Sequence, residues 1–170
     1  MVLIDAPPRL LTGVVNALTA STHVLVPTIL DGQSLNATLN TLAAIQQFRM
    51  KLNPQLQVLG VVPSMIAAST GYSPLEETFI ESLERQIPPM YNGIVPLLTS
   101  TPICQRQELA KAGGSEILFS SDGKSASVRA ARDMFRELGQ SIGERLRWTN
   151  PIDRSDVYVM PGQDKRALVS

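Results

Sequence analysis

The sequence predicts an α/β protein with a doubly wound, mainly parallel sheet. Short apolar runs alternate along the chain with longer stretches whose apolar residues recur at helical spacing, and turn residues separate them. The apolar runs do not alternate with polar residues, which is typical of strands covered by helices on both faces. The chain has 170 residues, of which 44% are hydrophobic and 18% charged, enough for one globular domain with a buried core.

The amino-terminal third is predicted to hold two strands and two helices. Residues 2–4 (Val-Leu-Ile) form the first apolar run. Leucine and valine recur at helical spacing over residues 10–20, and His23–Ile29 forms the second apolar run. Asp31 then begins a turn with good cap chemistry, and a long helix follows as far as Lys51.

The middle of the chain is predicted to continue the alternation. Residues 56–62 form a third apolar strand. Ser73, followed by proline and by Glu76 three positions on, predicts a capping box that opens the next helix. We expect this helix to end before the two prolines at 88–89, and a weaker fourth strand to follow at residues 93–99.

The last third is predicted to be mainly helical. A short helix is expected at residues 108–112 and a long amphipathic helix at 125–148. Residues 149–170 mix prolines with charges, and we interpret them as a flexible tail after a domain spanning 1–148. We interpret three methionines as core residues: Met50, Met65 and Met90.

The composition excludes several classes of protein. The formal net charge is zero, so only a local patch could bind nucleic acid or a membrane surface. A single cysteine, Cys104, excludes an internal disulfide and fits a reducing compartment. We see no secretory leader, and no apolar run near the roughly 18 residues of a spanning helix. These observations predict a cytoplasmic protein.

Asp5 is the first candidate site residue. It follows the apolar run at residues 2–4 and precedes two prolines. In open α/β sheets, ligands bind at the carboxyl ends of the strands, where an aspartate can hold magnesium. The alternative is an aspartate that only caps the turn into the next helix. The residues alone leave both readings open.

The long carboxyl-terminal helix carries a row of arginines. Arg129, Arg132 and Arg136 are spaced by three and four residues, so they share one helix face. Asp133 and Glu137 are interleaved with them. The row is either a solvated, salt-bridged face or a modest stripe that contacts DNA phosphates. No aromatic residues are interleaved, so base stacking is not indicated.

The order of these segments resembles the carboxyl-terminal portion of ParA/Soj-type partition ATPases, relatives of MinD that carry a deviant Walker P-loop. The resemblance covers roughly residues 2–146. It rests on four segments: residues 2–8 (Val-Leu-Ile-Asp-Ala-Pro-Pro), residues 16–27, residues 52–62 (Leu-Asn-Pro-Gln-Leu-Gln-Val-Leu-Gly-Val-Val) and residues 101–114. It implies a P-loop-NTPase-like fold.

The resemblance also implies a function and site residues. Such proteins bind ATP and Mg²⁺ between the subunits of a homodimer, bind DNA nonspecifically and respond to a centromere-binding partner protein. By position, Asp5 looks like the Walker B acid, with catalytic and metal-binding roles. Three residues resemble the loop that borders the adenine: Pro102, Ile103 and Cys104. Arg106 falls where the family often has a basic residue, and it joins Arg129, Arg132 and Arg136 as a candidate for weak DNA binding.

The sequence departs from the family at the phosphate-binding loop. No glycine-rich segment ending in lysine and serine or threonine precedes Asp5, and the Gly-Lys-Ser at 123–125 lacks the required earlier glycine. We therefore expect a truncated form or a fragment of a longer ATPase that lacks the P-loop strand. The alternative is a noncatalytic dimerisation or partner-binding module derived from the same fold. A membrane partner is not expected, because Pro161 and Gly162 break the carboxyl-terminal tail.

Overall fold

The computed structural model describes residues 2–6, 12–67, 71–107, 109 and 126–147. The chain forms two compact units, Met1–Cys104 and Gln105–Ser170. The described elements of the first unit are α1 (Thr12–Ala20), β1 (His23–Ile29), α2 (Gly32–Lys51), β2 (Gln57–Ile66), α3 (Pro74–Met90) and β3 (Ile103–Cys104). The described part of the second unit contains α4 (Ala126–Arg145). This alternation confirms the predicted α/β class.

The three strands form one parallel sheet in the order β1-β2-β3. The register between β1 and β2 runs from His23 opposite Gln57 to Ile29 opposite Ser64, with a shift after Val24. Among the described residues, β1 pairs only with β2, so its other edge is free. Pro27 lies near the end of β1, where a missing backbone donor is tolerated.

The core of the first unit lies where helices cover the sheet. α2 turns four apolar residues inward at helical spacing: Leu35, Leu39, Leu42 and Ile45. α2 contacts both β1 and α3. Leu56 and Val61 of the second strand region are fully buried, as expected for a parallel strand with both faces covered.

Both predicted helix starts are confirmed. The Asp31 carboxylate accepts a hydrogen bond from the Ser34 backbone N–H (2.6 Å), which lowers the pKa of Asp31. At α3, the Ser73 hydroxyl accepts from the Glu76 N–H (3.3 Å), and the Glu76 carboxylate accepts from the Ser73 N–H (2.7 Å). This reciprocal pair is the predicted capping box, and the second bond lowers the pKa of Glu76.

The predicted first strand does not form. Residues 2–6 have no regular structure, and the side chains of Val2 and Leu3 are each 88% exposed. A strand with two apolar faces is stable only beside a neighbouring strand and under covering helices. These residues pair with neither β1 nor any other described strand, so Asp5 does not stand at the end of a sheet strand.

Three further sequence predictions differ from the structure. Residues 93–99 form only a single bridge, Val61 to Leu97, because Pro96 has no N–H with which to extend a ladder. α3 continues through the two prolines to Met90, and the Tyr91 N–H then closes its last turn on the Ile87 carbonyl (3.0 Å). The methionines interpreted as core residues are exposed: Met50, Met65 and Met90.

The remaining predictions fall partly outside the described residues. α1 occupies the described part of the helix predicted at 10–20. α4 confirms the helix predicted at 125–148 over residues 126–145, and residues 146–147 form a turn. The short helix at 108–112, the tail at 149–170 and the Gly-Lys-Ser at 123–125 lie almost wholly outside them.

Candidate functional site

The carboxyl ends of the three parallel strands lie at one edge of the sheet, and this edge is the first candidate site. The strands end at Ile29, Ile66 and Cys104. The two residues of β3 pair with Ser64 and Ile66, so β3 lies beside the carboxyl end of β2. Open α/β sheets bind their ligands at this edge, because the loops that follow the strands converge there.

Two of the three predicted adenine-bordering residues form β3 itself. Pro102 precedes β3, and Ile103 and Cys104 compose it. Pro102 and Ile103 are half-buried, whereas the Cys104 thiol is buried and free of any disulfide. The structure therefore places this segment at the carboxyl edge of the sheet. That Pro102, Ile103 and Cys104 contact a nucleotide stays a prediction.

A tyrosine fixes the segment that leads into β3. The Tyr72 hydroxyl donates to the Thr99 carbonyl (2.7 Å) and so ties the start of α3 to this segment. Burial raises the pKa of Tyr72 to about 12, and the neighbouring Cys104 and Glu76 add to the effect. The neutral hydroxyl is thus the stable form. Two residues after Thr99, the buried Thr101 hydroxyl has no hydrogen-bond partner among the described residues.

Met65 is a feature that sequence reasoning missed. Its φ is 60°, a left-handed conformation that residues with a side chain seldom adopt, and its side chain is 52% exposed. It lies where the pairing between β2 and β3 shifts. Strained residues cluster at functional sites. The sequence gives no signal for it, because methionine is not enriched in left-handed turns.

A groove of about 540 Å³ lies beside the free edge of β1. Most of its walls come from α1, β1 and α2 and include Val14, Leu18 and Ile45, and Ser64 of β2 lines it as well. Thr28 and Thr38 also line it and share a hydrogen bond of 2.6 Å between their hydroxyls, so these two buried polar groups are satisfied. The groove is therefore mainly an apolar surface next to unpaired strand backbone.

Asp5 lies near this groove but is not held in a site. The next residue, Ala6, lines the groove, whereas Asp5 itself is exposed. None of Pro102, Ile103 and Cys104 lines the groove. The structure thus does not gather Asp5 and the β3 segment around one pocket. In the described ranges, no group of three or more histidine, cysteine or carboxylate side chains could hold a metal ion.

The candidate DNA-binding arginines belong to the second unit, and three of them lie on α4. Arg129 and Arg136 are exposed, and Arg132 is half-buried. The Arg136 guanidinium forms a salt bridge with Asp133, one turn away. For this pair the structure favours the salt-bridged face over free phosphate contacts. Arg106 precedes α4 in sequence, and its buried Nε has no hydrogen-bond partner among the described residues.

In the part of the chain that the structure describes, no helix is both long enough and apolar enough to cross a bilayer.

Comparison with known proteins identifies relatives over part of the chain. Over 70 residues, which are 41% of this chain, it is 37% identical to the chromosome-partitioning ATPase Soj of Thermus thermophilus. Over 64 residues it is 41% identical to the chromosome partitioning protein ParA of Caulobacter vibrioides. The matched segments span 28% and 24% of those proteins. No family model matches the chain. Over this region the chain is related to ParA/Soj-type partition ATPases.

Proposed function

We propose that this chain acts in DNA partitioning as the carboxyl-terminal portion of a ParA/Soj-type ATPase. The single observation that carries the proposal is the identity of 37–41% to Soj and ParA. In the proposed function, ATP and Mg²⁺ bind at the carboxyl edge of the sheet and a homodimer forms around them. The dimer then binds DNA weakly and without sequence preference, and a centromere-binding protein stimulates hydrolysis.

The free edge of β1 supports the view that a phosphate-binding strand completes this sheet. Such a strand would cover unpaired backbone groups of β1, and its side chains would enter the groove beside Val14, Leu18 and Ile45. The same strand would give residues 2–4 a neighbour to pair with. Asp5 would then stand at the carboxyl edge, where a Walker B acid holds Mg²⁺ through water.

ATP hydrolysis tests the catalytic part of the proposal. We expect no turnover above buffer from the chain alone, because no glycine-rich loop with a lysine is available to hold the phosphates. A longer version that carries such a loop before residue 2 is expected to hydrolyse ATP. Asp5→Ala in that version should abolish turnover, because it removes the metal-holding carboxylate.

The matched control is Asp31→Ser in the longer version. It also removes an exposed aspartate but leaves a residue that caps α2 well. Turnover that survives Asp5→Ala, or is lost equally in Asp31→Ser, would contradict the role of Asp5. Turnover by the chain alone that disappears in Asp5→Ala would show that a nucleotide site exists without the loop.

DNA binding tests the partitioning part. We expect the longer version with ATP to bind unrelated duplexes equally and with a steep salt dependence. Replacing Arg129 by glutamine should flatten the salt slope by about one unit if this residue contacts a phosphate. Arg136→Gln is measured beside it, because a phosphate contact by Arg136 would have to displace its salt bridge with Asp133. Salt-insensitive binding would rule out a phosphate surface.

The second candidate function is a noncatalytic dimerisation or partner-binding module. The observation in its favour is that Asp5 is exposed and lies on no strand. In that case, the longer version would dimerise without ATP and Asp5→Ala would leave dimerisation unchanged. Sedimentation velocity with and without ATP distinguishes the two functions.

A further inference from the structure

A second pocket lies at the opposite edge of the sheet from the carboxyl ends of the strands. α2 begins after the carboxyl end of β1 and ends before the start of β2, so its last turns lie at the amino edge. There, a pocket of about 210 Å³ is lined by Gln46, Arg49, Met50, Pro54 and Asn92. None of these residues contributes to the groove beside β1 or to the β3 segment.

Arg49 brings an unpaired positive charge to this pocket. One terminal nitrogen, Nη1, donates to the Asn92 carbonyl (3.1 Å) and, more weakly, to the Tyr91 hydroxyl (3.4 Å). The guanidinium carbon also lies 5.8 Å from the centre of the Tyr91 ring, which fixes the side chain. Nε and Nη2 have no acceptor in the described part of the chain, and no carboxylate there pairs with Arg49. Three N–H donors thus remain available.

Gln46 adds an unsatisfied acceptor on the same side of α2. It lies three residues before Arg49, so the two side chains share a helix face. Its Oε1 atom is buried and has no hydrogen-bond partner among the residues that the structure describes. A buried amide oxygen without a partner is unfavourable, so an N–H or O–H group that donates to this atom would be stabilising.

We propose that this pocket binds the carboxyl terminus of a polypeptide. The terminal carboxylate supplies the two acceptor oxygens that the Arg49 fork can pair with. The last backbone N–H, next to that carboxylate, donates to Gln46 Oε1. The terminal side chain packs on Met50, which is 59% exposed, and on Pro54.

The charge balance of the pocket favours an anion. The end of α2 carries about half a negative charge from its free carbonyls, which is less than the full positive charge of the guanidinium. One of the carbonyls at that helix end already has donors, because the Leu52 and Asn53 backbone N–H groups both donate to the Phe48 carbonyl. A neutral ligand would not neutralise the charge of the guanidinium.

The test is a titration of the full chain with small ligands, monitored by NMR or calorimetry. The probes are N-acetyl-Ala-Leu with a free carboxylate, the same dipeptide as its carboxyl amide, acetate and inorganic phosphate. We expect the free acid to bind saturably, with an affinity at least about tenfold higher than that of the amide. The reason is that the amide cannot form the charge-assisted pair with Arg49. Acetate and phosphate should bind more weakly than the acid, since neither presents a carboxylate beside a peptide N–H.

Two variants assign the binding to this pocket. Arg49→Gln should weaken the acid about tenfold or more, whereas Arg85→Gln, at an exposed arginine of α3, should leave binding unchanged. Gln46→Met keeps the side-chain volume and removes the acceptor. It should weaken the dipeptide acid but not acetate. It also keeps the test decisive if Arg49→Gln fails to fold.

Several outcomes would overturn the proposal. Equal binding of acid and amide would show that the carboxylate is not recognised. Phosphate binding as tight as that of the acid would reveal only a general anion site. Unchanged binding in Gln46→Met would exclude the N–H contact. These results are independent of ATP hydrolysis, so they leave the partition function untouched.

Discussion

Asn53 joins three parts of the first unit, and its replacement should destabilise the fold measurably. Its side-chain amide donates to the carbonyls of Leu18 (2.9 Å), Ser21 (2.8 Å) and, more weakly, Thr19 (3.3 Å). These carbonyls belong to the end of α1 and the entry to β1. One side chain after α2 thus satisfies acceptors that the end of α1 leaves without helical partners.

Asn53→Ala is expected to lower the free energy of unfolding by about 2 kcal/mol. An amide has two N–H groups, so the three contacts amount to two full hydrogen bonds at roughly 1 kcal/mol each. Asn53→Asp should cost more, because it places a carboxylate against three carbonyl oxygens at a helix end that is already negative. Urea unfolding followed by far-UV circular dichroism measures both values.

Asn36→Ala is the matched control. Its amide also donates to a backbone carbonyl, that of Gly32 (3.2 Å), but the bond is exposed and lies within one helix. We expect a change within about 0.5 kcal/mol. Losses that are equal for Asn36→Ala and Asn53→Ala would refute the reasoning. An Asn53→Asp variant as stable as the parent chain would refute it as well.

Three further changes test the packing and the titration of the first unit. Gly60→Ala should destabilise by about 1–3 kcal/mol in urea unfolding, because its new Cβ would lie 2.8 Å from the Pro96 carbonyl oxygen, whereas Gly13→Ala has open space and should not. Ser73→Ala should cost about 1 kcal/mol by the same assay, through loss of the capping box, and Ser73→Asp should largely restore it. The folded-state pKa of Tyr72 is raised from its ordinary value of 10.0 to about 12, so its contribution to stability is full below pH 10 and is lost as the pH rises to about 12. Across that range, the free energy of unfolding should change less with pH in Tyr72→Phe than in the parent chain. An equal change with pH in both would contradict the assignment.

Local sequence signals predicted the elements whose stability is local. Asp31 and the Ser73 capping box identified two helix starts, and the apolar run His23–Ile29 matches β1 residue for residue. The wrong prediction of a strand at residues 2–4 has a different cause. Residues 2–4 have the right composition for a strand, but a strand also needs a neighbour, and composition cannot show whether one is available.

The candidate sites were predictable to different degrees. The β3 segment was found through its family resemblance, whereas its role as a strand was missed, because two residues are too few for a periodic pattern. The Arg49 pocket was missed completely. Its signal is that Nε and Nη2 of Arg49 and Oε1 of Gln46 have no partner among the described residues, and only the folded structure shows which polar atoms lack partners.

The strand order β1-β2-β3 repeats the order of the sequence, and this affects how the chain can fold during synthesis. Among the described strands, none made later has to insert between two made earlier, so β1 and β2 can pair under α2 as soon as Ile66 has left the ribosome. At about 5–20 residues per second, roughly 2–7 seconds then pass before β3 also leaves the ribosome. During that interval the outer edge of β2 is a transient aggregation surface, until Leu97, Ile103 and Cys104 arrive to cover it.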